Sequence, residues 1–317
     1  MNQKEILITG GTGSLGSTLV RMILNTMPTI KGIRVYSRDE AKQVELKRSL
    51  PNGSPVAFLI GDIKDRVRLR RAMTGCDIVI HTAALKHVPI AEDNPLEYIK
   101  TNVYGTANVI ECCLDCKVEK AMLISTDKAV YPVNLYGATK LCAERVWLQA
   151  DVYSPNRPPM FSACRYGNVL GSRGSVVRLF SDLVKNRKSL TITDYEMTRF
   201  WITLEQAAKF ILKSISEMAG GEIFIPDMPS MKVKDLALTM AMMDDWKNPG
   251  LEEIGIRPGE KLHETMVTFE ESLSTIPNID GYIILNGKFR NNMPAFTWTS
   301  HNNNRWLQPN ELRRLLA

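Results

Sequence analysis

Along the first half of the chain, short apolar runs alternate with stretches in which apolar residues recur every three or four positions. The runs EILITG, IRVYSR, PVAFLIGD, DIVIHTAA, KAMLIST and MFSACRYG have the length and β-branched content of strands. After the first, Leu15, Leu19, Met22, Ile23 and Met27 form the stripe of an amphipathic helix. Asn94, Pro95 and Glu97 predict a capped start for the next long helix, over 95–116. Strands and helices alternating at this spacing predict an α/β fold, a doubly wound parallel sheet with ligands at the carboxyl ends of its strands. Beyond about residue 170 single strands (LTIT, EIFIP) and short helices mix with loops bearing Pro and Gly. The pattern therefore predicts a sheet domain over 1–170 and a smaller substrate-binding region over 171–317. A segment near 204–217 is expected to return to the main sheet, and the tail 299–317 reads as a polar loop and a capped helix.

Length and composition narrow this picture only a little. The 317 residues suffice for one large domain or two unequal ones. A hydrophobic fraction of 44%, 23% charged residues and a mean hydropathy of -0.14 are those of an ordinary globular chain. The net charge of +6 has no long like-charge block, which suits anionic small molecules better than nucleic acid. The run RVRLRR at 66–71 reads as a solvated helix face. No stretch approaches the roughly 18 consecutive apolar residues of a membrane span. The opening MNQKEILITGG passes from a short apolar run into glycines, as a first strand does and a signal peptide does not. A cytoplasmic protein is expected, in which six cysteines have no oxidising compartment to pair in. Cys112, Cys113 and Cys116 share a helix without a second ligand pair, so free thiols are expected and no metal site.

The chemistry begins at 10-GGTGSLG-16. Gly10, Gly13 and Gly16 let the backbone turn tightly and approach a pyrophosphate, whose charge meets amide groups at the helix start around Thr12, Ser14 and Leu15. In this strand–loop–helix context the motif predicts a dinucleotide-binding Rossmann domain. At the end of the second strand, Ser37, Arg38 and Lys42 suit the 2′-phosphate of NADP, while Asp39 and Glu40 keep NAD open. Asp62 and Ile63 are placed for the adenine end, and Ala83 and Ala84 for the nicotinamide half. Lys86 and His87 follow at substrate reach. Tyr136 and Lys140 are four apart and share one helix face. A phenol with a pKa near ~10 needs help to act as a base, and a nearby ammonium or a cationic nicotinamide ring lowers it. Ser125 or Thr126 completes a hydride-transfer set. An alcohol dehydrogenase needs no more, yet Asp127 and Lys128 stand side by side just upstream.

The glycine loop, TAALKHVPIAEDNPLEYIKTN, STDKA, NLYGATK, RYGNVLGSRGSV, MTRFW and GIRPGEKLHE together resemble the extended short-chain dehydrogenase/reductases. Within these the chain is similar to the UDP-N-acetylglucosamine 4,6-dehydratases that open the pseudaminic acid pathway, over nearly its whole length. The resemblance implies oxidation of a sugar at carbon 4 by Thr126, Tyr136 and Lys140, with Lys140 also on the cofactor ribose. It implies Lys128 as the base at carbon 5, depressed by burial beside Lys140, and Asp127 as the acid for the departing carbon-6 hydroxyl. Relatives that keep Tyr at position 136 invert carbon 5, whereas retaining relatives carry Met. Asn168, Arg173, Ser175 and Val176 are implied on the substrate, with Arg199 and Arg257 on its diphosphate and Glu260 on ribose hydroxyls. UDP-N-acetylglucosamine as substrate and a homo-oligomer, dimer or hexamer, are implied too. Tyr131 departs from the family, where a small or polar residue is usual. Two alternatives stay open: a UDP-N-acetylhexosamine 4-epimerase, which needs no Asp-Lys pair, and a non-catalytic NADP-sensing protein.

Overall fold

The computed structural model describes residues 3–153, 158–172, 174–285 and 294–316. Six of its strands are the six runs read from the sequence: β1 (Glu5–Thr9), β2 (Gly32–Ser37), β3 (Val56–Ile60), β4 (Ile78–His81), β5 (Lys120–Thr126) and β6 (Met160–Tyr166). They lie parallel in the order β3-β2-β1-β4-β5-β6. β4 is buried at every position and β1 at all but its first, so both read as continuous apolar runs. The order reverses between β1 and β4, and the loops leaving their carboxyl ends diverge there to leave a crevice.

Helices cover the sheet. α1 (Ser14–Thr26) buries Leu19, Val20 and Ile23 and packs beside the helix Leu204–Glu217. That helix is fixed at its start by a capping box between Thr203 and Gln206, and its buried face is Ala207, Ala208, Ile211 and Ile215. α2 (Glu40–Arg48) follows β2, and α3 (Arg66–Met73) packs on Gly105–Asp115, which in turn meets Leu135–Leu148. Among the described residues no helix is long and apolar enough to cross a membrane. Cys112 and Cys113 are buried and Cys116 half-buried, all three as free thiols.

Two details differ from the sequence reading. EIFIP is no isolated strand of the C-terminal region, because Glu222–Pro226 joins the main sheet beside β6, pairing Ile223 with Ala163 and Phe224 with Cys164. The hairpin Thr275–Asn278 and Gly281–Leu285 then extends that edge antiparallel, giving nine strands. Asn94 caps nothing with its side chain; its amide donates backwards to the Ile90 carbonyl at 3.2 Å. The long helix is interrupted by a wide turn, Ile99–Tyr104, whose Asn102 is nearly fully buried. A separate apolar cluster, with Phe180, Leu190, Ile192, Trp201, Leu236 and Leu312, forms under the C-terminal region.

Candidate functional site

A cleft of about 820 Å³ opens along the carboxyl ends of the strands. Its lining includes every residue assigned from sequence to the dinucleotide: Gly10, Thr12, Gly13, Ser14, Leu15, Gly16, Ser37, Arg38, Lys42, Asp62, Ile63, Ala83, Ala84, Lys86, Tyr136 and Lys140. The glycine loop is shaped by close backbone approach. A Cβ on Gly16 would lie 2.6 Å from both the Gly10 carbonyl oxygen and the Gly11 Cα, so any other residue would push the loop out of the turn. These contacts and the exposed helix start fit a dinucleotide pyrophosphate. At the end of β2 the Asp39 carboxylate accepts from the Lys42 amide at 3.0 Å and pairs with the Lys42 ammonium, so it is spent on capping α2. Arg38, by contrast, is exposed and only 3.7 Å from one Asp62 oxygen. The loop after β4 is pinned by Asn102, which accepts from the Leu85 amide at 2.9 Å and donates to the Leu85 carbonyl at the same distance. Nothing in the sequence marked Asn102.

At the end of β5 the chain leaves strand geometry, as the side-by-side pair requires. Thr126 is still extended, and Asp127–Ala129 is a short 3₁₀ turn. The helix Leu135–Leu148, capped by Asn134 on the Gly137 amide at 2.8 Å, lies tight against that turn. A Cβ at Gly137 would sit 2.3 Å from the Lys128 carbonyl oxygen, so only glycine allows the approach. Tyr136 and Lys140 then face the cleft from one side of the helix. Lys140 donates to the Ile124 carbonyl at 2.6 Å, and burial draws its amine down to about 8 against the pull of Glu144. Ser125 and Thr126 both line the cleft, and both hydroxyls are donated to carboxylates, Ser125 to Glu144 at 2.6 Å and Thr126 to Asp127 at 2.9 Å. Burial pushes the Tyr136 phenol up to about 12, although Lys128 pulls it down. The lowering expected from sequence is therefore outweighed in the protein alone.

Asp127 and Lys128 divide between two environments. Asp127 is fully buried under the cleft and does not line it. Its Oδ1 accepts from Thr126 at 2.9 Å and from Lys128 Nζ at 3.0 Å, while its buried Oδ2 has no hydrogen-bond partner among the described residues. Burial raises its carboxyl above the usual range, against Lys128 and with the help of Glu264. Lys128 lines the cleft and also donates to Asn168 at 3.1 Å. Burial opposes its charge, but Asp127 and Glu264 outweigh burial and hold the amine above the usual lysine range. This reverses the depressed amine expected from sequence. The causes are Asp127, 3.0 Å from Lys128 Nζ, and then Glu264, whose Oε1 lies 3.5 Å away and which the sequence had not shown. Glu264 sits in the GIRPGEKLHE segment, but its residue type and spacing gave no sign that it would fold against the turn after β5.

The remaining substrate candidates scatter. Lys86, His87, Asn168, Ser175 and Val176 line the cleft. Ser175 begins the helix Val176–Lys185, and its buried hydroxyl has no partner among the described residues. Arg173 lies outside the described residues. Arg199 is buried behind the cleft, where its fork donates to the carbonyls of Thr198 at 2.7 Å, Leu262 at 3.1 Å and Lys261 at 2.9 Å. In this structure those donors hold backbone, and Arg199 does not line the cleft. Arg257 and Glu260 are 3.9 Å apart on a surface loop outside the cleft lining. That loop is tied to the helix of Tyr136 by Asn134, which donates to the Gly259 carbonyl at 2.7 Å.

Residues 6–285 match the family described as polysaccharide biosynthesis protein. The chain is 45% identical to the UDP-N-acetylglucosamine 4,6-dehydratase (inverting) of Campylobacter jejuni, over 99% of this chain and 98% of the relative. It is 38% identical to the UDP-glucose 4-epimerase of Rickettsia prowazekii, over 99% and 95% of the two. Among solved structures, the X-ray structure of Pen from Bacillus thuringiensis superposes with a TM-score of 0.92 at 38% identity, covering 99% of this chain and 97% of that one.

Proposed function

The chain belongs to the polysaccharide biosynthesis protein family, and we propose that within it the protein is a UDP-N-acetylglucosamine 4,6-dehydratase that inverts carbon 5. The observation that carries this reading is the second proton-handling pair, Asp127 and Lys128 in contact at 3.0 Å beside Tyr136. A 4-epimerase uses the same oxidising residues and has no need of that pair.

The glycine loop, Tyr136 and Lys140 would hold a nicotinamide cofactor, which would supply a reversible hydride acceptor for oxidation at carbon 4 and reduction at carbon 6. Tyr136, oriented by the helix it shares with Lys140, accepts the proton of the carbon-4 hydroxyl as a phenolate, a form that Lys128 and the positive charge of a bound oxidised nicotinamide would favour against burial, with Thr126 holding that oxygen. The resulting ketone makes the carbon-5 hydrogen acidic, and Lys128 removes it. Asp127 supplies the proton with which the carbon-6 hydroxyl leaves as water. In the resting pair the shared proton lies on Lys128 as an ammonium. Its transfer across the short contact gives a neutral amine and a neutral acid, the two forms this elimination needs, and Asp127's burial favours that transfer. Because Asp127 lies beneath the cleft, its proton reaches the sugar by way of Thr126, whose hydroxyl donates to Asp127 at rest and must turn to accept from the protonated acid as it passes its own proton to the departing oxygen.

We assign NADP, with NAD as the alternative, since the acid at the end of β2 is spent as a helix cap and the exposed Arg38, held only at 3.7 Å from Asp62, suits a 2′-phosphate. Ser175 and the helix start behind it support a diphosphate position, with Lys86 and Asn168 nearer the sugar. Arg257 and Glu260 belong to this proposal as an outer loop that reaches the nucleotide. The family motifs support a role in a pseudaminic acid pathway and a homo-oligomer, dimer or hexamer. The pools of UDP-sugar and NADP that the reaction draws on support a cytoplasmic location. Incubation with UDP-N-acetylglucosamine, read by mass spectrometry, tests the reading: the product should be lighter by one water. A product of unchanged mass overturns it in favour of epimerisation.

A further inference from the structure

Glu264 is nearly fully buried, and the groups around it form a closed set of charges. Its Oε1 is 3.5 Å from Lys128 Nζ and 3.9 Å from Arg199 Nε, and its Oε2 is 3.3 Å from Lys261 Nζ. The backbone at this position is fixed from both sides, since the Glu264 amide donates to Ser300 Oγ at 2.9 Å and the Ser300 amide donates to the Glu264 carbonyl at 2.8 Å. Lys261 is itself anchored, donating to the Val130 carbonyl at 2.7 Å just past the Asp127–Ala129 turn. Arg199 is locked by its three carbonyl bonds. The carboxylate therefore cannot relax away from Lys128 without losing two other cations.

We propose that Glu264 is a positioning residue that holds the Lys128 amine at the cleft and keeps one proton on the Asp127–Lys128 pair. The proposal deepens the dehydratase reading and rests on it for its catalytic meaning. Lys128 faces Asp127 on its own turn, Tyr136 on the neighbouring helix, Asn168 after β6, Lys86 after β4, and Arg199 and Glu264 from the C-terminal region. Of these, Asp127 and Glu264 are the carboxylates. Asp127 gives and takes the working proton, so Glu264 is the fixed negative charge. With all five groups ionised, Lys128, Arg199 and Lys261 stand against Asp127 and Glu264, an excess of one cation. Taking the charge of Glu264 away doubles that excess, so the pair should lose its proton at lower pH. The effect on Lys128 is damped because Arg199 and Lys261 share the same carboxylate.

The test reads Lys128 directly and without substrate. Full-length protein is labelled with trace acetic anhydride across a pH series, and labelling at Lys128 is followed by peptide mass spectrometry. Since one pKa unit is a tenfold change in free amine, Glu264→Gln should label Lys128 about tenfold more than the parent at a given alkaline pH. Glu264→Asp, which keeps the charge, should label close to the parent. Curves for Glu264→Gln that superimpose on the parent overturn the proposal whether or not the protein dehydrates sugars. If Glu264→Gln does not fold, Glu264→Ala takes its place: loss of the charge predicts the same increase in labelling, and curves that superimpose on the parent overturn the proposal. In turnover, the pH profile of kcat for Glu264→Gln should move to lower pH, which loss of packing alone would not cause.

Discussion

Arg165→Met tests the foundation on which the cleft stands. Arg165 on β6 is 1% exposed and its guanidinium bridges the buried carboxylate of Glu144 and the half-buried one of Glu271, with Nη2 2.6 Å from Glu144 Oε1 and 2.7 Å from Glu271 Oε1. It also donates to the Met266 carbonyl at 2.9 Å. Glu144 lies one turn beyond Lys140 and holds Ser125, so the network ties the catalytic helix, the central strands and the C-terminal segment together. Methionine fills a similar volume but removes the guanidinium between the two carboxylates, leaving only the more distant Arg145 and Lys140 as counter-charges. Breaking a buried pair in this way costs about 3–5 kcal/mol. At roughly 2 °C per kcal/mol for a chain of this size, the melting temperature should drop by ~6–10 °C. The pH dependence has a definite sign. In the parent, burial pushes Glu271 up but Arg165 prevails and lowers it, which stabilises the fold above the unfolded carboxylate pKa and is lost on acidification. In the variant, the carboxyls are raised instead, so their burden is greatest at neutral pH and is relieved in acid. Scanning calorimetry at about pH 5 and about pH 7.5 should therefore find the larger deficit at the higher pH. Adding Glu144→Gln should recover part of it. A variant that melts with the parent, or whose deficit grows in acid, refutes the reasoning.

Gly16→Ala places a methyl 2.6 Å from backbone atoms of the glycine loop. Overpacking of that kind costs about 1–3 kcal/mol, so NADPH affinity by fluorescence titration should fall about tenfold or more; an unchanged Kd would count against the pyrophosphate site. Arg38→Ala should weaken NADPH about tenfold while leaving NADH unchanged, and an equal loss for both cofactors would contradict the 2′-phosphate assignment. Lys140 titrates at about 8 in the fold because it is buried, against ~10.4 in the unfolded chain. Between these values the unfolded chain holds the extra proton, so this group makes stability rise with pH across that window. Lys140→Met should accordingly melt above the parent near neutral pH and converge with it by about pH 10; a gap that widens with pH would reverse the sign.

The six central strands were legible because parallel strands covered on both faces need unbroken apolar runs, and these six alternate with helical stretches. The last parallel strand was not assigned to the sheet, since EIFIP looks like any short strand and only the tertiary fold brings Ile223 beside Ala163. The edge hairpin was missed because Pro277 and Gly281 break its pattern. Around the site, the glycine loop and the Tyr136–Lys140 spacing were readable since each expresses a local geometry. The electrostatics were not. Adjacency on the chain identified Asp127 and Lys128 as a pair, but their protonation also depends on burial and on Glu264, which is remote in sequence. Arg199 was ambiguous for the same reason: a guanidinium suits a diphosphate or three carbonyls equally well, and only the fold selects between them.

The central claim is that Lys128 removes the carbon-5 proton of a sugar held beside Tyr136. Parent and Lys128→Ala proteins, each first shown to bind NADPH, can be incubated with UDP-N-acetylglucosamine in deuterated water and the products read by NMR. The parent should yield a product lacking the carbon-6 oxygen and carrying deuterium at carbon 5, whereas Lys128→Ala should yield neither change. A parent product with its carbon-5 hydrogen intact, or undiminished exchange in Lys128→Ala, would contradict the account.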